Sequence, residues 1–224
     1  MNFEKYTSSK MYAFFDFLYK LMFINIFWFF TNMVGLFVLA FMPATIAMYI
    51  MIQGIINKEE FPLMKTFFTI IKKEYFKSQK IFLILLFSGF IIFYDIYFFY
   101  TMFIHSATFF NTLGLMFSVI LVIIYLFTFI HIPYVFYYFP RLKAFATVKT
   151  AILLGISFLL HTFLALLVLI VLVIITLEFA VLTFAIPMIL FALIAYFQSF
   201  ILRKKYQSLF KEYEPLIIDE YYLS

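Results

Sequence analysis

Charged residues in this 224-residue chain leave four long gaps. Asp, Glu, Lys and Arg are absent from residues 21–57, 96–140, 150–177 and 179–202, which are runs of 37, 45, 28 and 24 residues. A helix crossing the ~30 Å hydrocarbon core of a bilayer needs about 20 such residues. Every gap reaches that length. Composition removes the alternatives: with 67% hydrophobic and only 12% charged residues, a soluble fold of this size could not hide its apolar surface. Disordered chains are poor in aromatics, and here aromatics are 25%. With Cys 0, a disulfide scaffold and thiol chemistry are both excluded. The expectation is an all-α, polytopic membrane helix bundle forming a single domain over residues 1–224.

The gaps divide into about six membrane segments. The last two give spans at 150–175 and 180–202, separated by Glu178. The run from 81 to 140 lapses in apolar continuity at His105-Ser106-Ala107-Thr108, giving spans at 81–103 and 111–131. Pro133 and Pro140 then break or kink the chain beyond that span, because proline lacks an amide donor and clashes with the preceding turn. Pro43 splits the first gap into 21–42 and 44–57. The second piece is only about 21 Å long by helical rise, so it is short or re-entrant. If it returns to the starting side, all 16 Lys and Arg fall on one face of the membrane and none on the other. Basic residues collect on cytoplasmic loops, so both termini are expected inside, with no cleaved signal peptide.

Beyond the spans, residues 62–77 read as an amphipathic interfacial helix. Leu63, Phe67, Ile70 and Ile71 recur at helical spacing, with Lys65, Lys72, Lys73 and Lys77 forming a basic face. That face suits anionic lipid headgroups or a partner protein. Tyr94, Tyr97 and Tyr100 mark an outer aromatic belt and Tyr134, Tyr137 and Tyr138 an inner one. Thr147, Ala151 and Gly155, four apart, allow a neighbouring helix close approach.

Polar residues inside spans are costly and mark candidate sites. Asp95 is the one formal charge within a span, expected to face the bundle beside Asn111, Thr112 or the last two spans. His161 lies near the middle of its span, and Asn25, Gln53, Asn32 and Gln198 are further candidates. His105, His131 and His161 sit at three depths and cannot converge on one metal. The sequence holds no HExxH, no phosphate-binding glycine loop and no GxSxG. No enzyme, cofactor, metal or nucleic-acid partner is expected; the net charge of +5 is that of the basic loops.

Several blocks carry a resemblance. Asn25-Ile26-Phe27-Trp28 is similar to an Asn-Leu-Leu-Trp in the first span of the YesL-type bacterial membrane proteins, a family of unknown function. Pro43-Ala44-Thr45-Ile46-Ala47-Met48-Tyr49, then Lys58-Glu59-Glu60, resembles that family's second segment and loop. Residues 67–80, ending Phe76-Lys77-Ser78-Gln79-Lys80, resemble its next block, and Tyr138-Phe139-Pro140-Arg141 with residues 149–154 resemble its fourth-loop region. The resemblance implies a plasma-membrane protein often encoded beside carbohydrate-uptake genes, and it supplies no catalytic residues. Two functions stay open. One is a transporter or accessory component of carbohydrate uptake, with Asp95 and His161 lining its path. The other is a non-transporting scaffold or regulator that docks a cytoplasmic partner or anionic lipid through its basic loops.

Overall fold

The computed structural model describes residues 10–179, 183–209 and 217–223. Among them every regular element is helical: α1 (Lys10–Val34), α2 (Phe41–Ile56), α3 (Leu63–His105), α4 (Phe109–Tyr138), α5 (Ala144–Ser157), α6 (Leu159–Glu178) and α7 (Phe191–Leu209). A π-helical turn, Ile186–Leu190, leads into α7, and another, Asp219–Leu223, comes after it. Five of the described helices are long and apolar enough to cross a membrane: α1, α3, α4, α6 and the Ile186–Ser208 helix that contains most of α7. The polytopic helix bundle is the fold.

The short α2 is the centre of one end of it. Each residue from Met42 to Gly54 is buried, because neighbouring helices surround α2. It packs against α1, α3, α4 and α7. A tight turn joins it to α1, with Leu36 and Phe37 in the left-handed region at φ 50° and 59°. At Gly35 a Cβ would stand 2.4 Å from that of Ala40, so only glycine lets the chain double back so closely. The tip of this hairpin is fixed in depth. Gln79 donates its side-chain amide to the Leu39 carbonyl, and Phe41 lies 6.5 Å from Phe82 and 5.9 Å from Phe129, ring to ring.

That depth matters because α3 is 43 residues long, or about 64 Å, twice a hydrocarbon core. Its large exposed apolar residues are densest from Leu83 to Ile104, a band about 32 Å tall, with Met64, Phe68 and Phe76 exposed before it. The hairpin tip stands at the near edge of that band, about 35 Å short of His105.

Several boundaries differ from those the sequence suggested. Residues 62–77 and 81–103 are one continuous helix, since nothing between them breaks the ladder; Ser78 sits inside it, bonding back to the carbonyls of Glu74 and Tyr75. Helix α4 passes straight through Pro133 to Tyr138. The span at 150–175 starts earlier, at Ala144, and is interrupted at Phe158. There the Thr162 hydroxyl reaches back to the carbonyls of Phe158 and Gly155 (3.0 and 3.3 Å), a side-chain intrusion of the kind that kinks helices. The final span opens with the π turn. Pro187 has no amide to give, and the widened turn leaves backbone groups that α1 satisfies.

Candidate functional site

Asn25 supplies that satisfaction. Fully buried, it donates to the carbonyls of Ile186 (3.0 Å) and Pro187 (2.9 Å) and accepts from the Ala192 amide (2.9 Å). One turn on, the Trp28 indole donates to Thr45 Oγ1 (3.0 Å) and lies against Phe191, ring centroids 4.4 Å apart. The Asn25–Trp28 block and the Pro43–Ala44–Thr45 block thus meet in space, tying α1, α2 and α7 together. Asn25 caps the opened turn at the start of the last span.

The other candidates do not gather around it. Asp95 is half-buried and accepts from Ser118 Oγ of α4 at 2.5 Å. It faces the bundle as insertion energetics require, but its partner is Ser118 rather than Asn111 or Thr112. Asn111 instead closes the α3–α4 turn, donating to the Ser106 carbonyl (2.7 Å), and Thr112 bonds its own helix at Thr108. His161 is half-exposed, while its neighbour Thr162 points inward. Gln53 is buried, and its amide nitrogen finds no acceptor among the described residues. Asn32 bonds the Trp28 carbonyl one turn back.

The polar side chains that do converge lie at the hairpin's end of the bundle. His131 of α4 is fully buried, with Nδ1 2.6 Å from the Tyr206 hydroxyl of α7 and Nε2 2.8 Å from Thr162 Oγ1 of α6. Thr162 Oγ1 also reaches the Phe158 and Gly155 carbonyls, and which ring nitrogen of His131 donates follows its tautomer. Tyr134 bonds Ser199 (3.2 Å), Tyr49 donates to Gln198, and Gln198 donates to the Ala165 carbonyl (3.2 Å). Tyr206 stacks on Tyr138 at 4.9 Å. At the rim Arg203 donates to Asn57 (2.7 Å), which donates to Tyr137 (2.6 Å). Tyr134, Tyr137 and Tyr138 are not the aromatic belt that the sequence suggested. All three are buried: Tyr134 packs on Tyr49 of α2, Tyr137 meets Asn57 at its end, and Tyr138 stacks on Tyr206 of α7. By contrast Tyr94, Tyr97 and Tyr100 are exposed, as a belt requires. The signal for the network lay in helical spacing: His131, Tyr134 and Tyr138 share one face of α4.

The basic face divides. Helical geometry sets Lys65 and Lys72, seven apart, on one stripe and turns Lys73 and Lys77 away by roughly a quarter to a third of a turn. Lys73 donates to the Tyr221 carbonyl and lies 4.6 Å from that ring's centre. Lys77 donates to the Pro140 carbonyl (2.7 Å) and sits 4.0 Å over Phe136. Residues 217–223 fold back over this corner. The Ile218 amide donates to Glu59 (3.0 Å), and the Tyr222 hydroxyl to buried Glu74 (3.3 Å). Burial and the Glu74 carboxylate push the Tyr222 phenol well above its ordinary range, which keeps it a donor. Lys65 and Lys72 remain exposed. Among the described residues no three His, Cys, Asp or Glu side chains could hold a metal ion.

Residues 21–96 match the family DUF624, described as a protein of unknown function. The chain is also 29% identical over 161 residues, 68% of its length and 67% of the relative's, to the "Uncharacterized protein YteU" of Bacillus subtilis (strain 168). No solved structure matches. The matched family region holds the α1–α2 hairpin, with Asn25, Trp28 and Thr45, and most of α3. Both findings agree with the YesL-like resemblance.

Proposed function

We propose that this DUF624-like membrane protein is a non-transporting, non-enzymatic scaffold of the plasma membrane, with both termini cytoplasmic and its basic end presented to a cytoplasmic partner. The observation that carries this reading is where the polar side chains converge. Asp95, His161, Asn25 and Gln53, which would line a transport path, occupy separate neighbourhoods: Asp95 meets Ser118, Asn25 bridges α1 to the last span, and the Gln53 amide nitrogen has no acceptor among the described residues. The residues that meet, among them His131, Tyr206 and Thr162, interlock α4, α6 and α7. The bond of Tyr49 to Gln198 adds α2. A closed network of that kind makes a rigid platform. Around it stand Arg141, Lys143, Lys149, Arg203, Lys204 and Lys205, at the end of the bundle that positive-inside asymmetry assigns to the cytoplasm. The α1–α2 hairpin enters from the same side and returns.

Proteoliposome uptake measured beside co-purification from native membranes tests the reading. The scaffold predicts sugar uptake equal to that of protein-free vesicles, and a co-purifying partner that is lost when Arg141, Lys143 and Lys149 are replaced by glutamine. Saturable uptake abolished by Asp95→Asn would establish the transport reading instead.

A further inference from the structure

Between α1 and the start of α3 runs an open groove of about 1150 Å3. Its walls are apolar: Phe23 and Phe27 from α1, Met64 and Phe68 from α3. Its rim carries Lys20, Lys65 and Lys72, with Thr69 between the last two on α3. Lys20 is paired with Asp16 at 2.7 Å, so the uncompensated positive charge belongs to Lys65 and Lys72. Met64 and Phe68 are 64% and 44% exposed. Apolar walls beneath a basic rim do not suit a soluble anion, which would gain nothing from the aromatic surface, nor an acidic peptide without apolar side chains.

The direction of the groove identifies the occupant. Counting at 100° per residue, Lys65, Lys72, Phe76, Leu83, Phe87, Phe90 and Tyr94 all fall within about 40° of one line along α3. From Phe76 onward these residues are exposed by 50% or more. The line of the groove thus leads along α3, past Phe76, toward the exposed apolar band of the bundle, the surface that acyl chains cover. Along α3 the two lysines lie about 16 and 27 Å from Leu83, on the side away from His105.

We propose that this groove is a binding site for an anionic phospholipid. One acyl chain lies along Phe23, Phe27 and Phe68, and the phosphate sits between Lys65 and Lys72 within reach of the Thr69 hydroxyl. The site is independent of whether the protein is a scaffold or a transporter, because none of its residues belongs to the buried network.

The test uses the full-length protein in detergent, titrated with phosphatidylglycerol or phosphatidylcholine while thermal midpoint and bound lipid (by native mass spectrometry) are monitored. Phosphatidylglycerol should raise the midpoint and remain bound, and phosphatidylcholine should do neither. The pair Lys65→Gln and Lys72→Gln should weaken phosphatidylglycerol binding roughly 30-fold, at about fivefold per lysine near an anionic surface. Lys204→Gln with Lys205→Gln, exposed lysines outside the groove, should leave it unchanged. Equal binding by both double variants would overturn the proposal. So would a midpoint shift reproduced by inorganic phosphate, which would mark a plain anion site, or equal retention of phosphatidylcholine, which would mark an apolar surface without headgroup selection.

Discussion

Replacing Asn25 by leucine removes, at similar volume, the side chain that closes the gap in the helix ladder around Pro187. Three backbone groups lose their partner at once: the carbonyls of Ile186 and Pro187 and the amide of Ala192. A buried polar group left unpaired costs about 1–3 kcal/mol. Hydrogen bonds between helices in membranes average nearer 0.6 kcal/mol, because the reference state finds other partners. Over three groups these bracket the loss at about 2–9 kcal/mol. At roughly 2–4 °C per kcal/mol for a chain of this size, the thermal midpoint should fall by at least about 4 °C. The sequence supplies its own probe. Trp28 is the single tryptophan and packs on Phe191, directly across the α1–α7 contact, so its emission reports on that contact as the detergent-purified protein is heated. Restoring an amide with Pro187→Ala lets the turn tighten, and in the Asn25→Leu background it should recover part of the loss, a coupling of about 0.5–3 kcal/mol. A midpoint within about 2 °C of the unsubstituted protein, with unchanged Trp28 emission, would refute the capping role.

Three further outcomes rest on the same geometry. Gln53→Met replaces a buried amide that lacks an acceptor and should be neutral or stabilising by up to about 1 kcal/mol in a thermal melt; a marked loss would mean that the amide has a partner. Gly155→Leu should cost about 1–3 kcal/mol or more by overpacking, since even a Cβ there would stand 3.1 Å from that of Phe127; a midpoint unchanged would show that α4 and α5 are not in close contact. Asp95→Asn should change stability by less than about 1 kcal/mol, because Ser118 also bonds the Gly114 carbonyl at 2.9 Å; a larger loss would give the carboxylate a role beyond this pair.

Much of the architecture was legible because lipid imposes a simple rule on composition. Charge gaps located the helices, and the stripe Thr147, Ala151, Gly155 is buried as its spacing required. Less legible was everything set by what α2 covers. Tyr134, Tyr137 and Tyr138 come just after an apolar span and look interfacial in one dimension; they are core because Tyr49 of α2, Asn57 at its end and Tyr206 of α7 meet them. The fate of Lys73 and Lys77 depended on residues 217–223 and Pro140 arriving from far along the chain. Asn25 could be flagged as costly, but its purpose required knowing that Pro187 opens a π turn opposite it.

In the proposed scaffold the α1–α2 hairpin folds into the basic end rather than threading through the bundle. With Cys 0 in the chain, single cysteines at Val38, Ser106 and Ser208 can be probed in intact cells with a membrane-impermeant thiol reagent. Ser106→Cys should react from outside, while Val38→Cys and Ser208→Cys should not, and Ser208→Cys should react once the membrane is opened. Reaction of Val38→Cys from outside would carry the hairpin across the membrane and contradict the depth assigned by Gln79, Phe82 and Phe129.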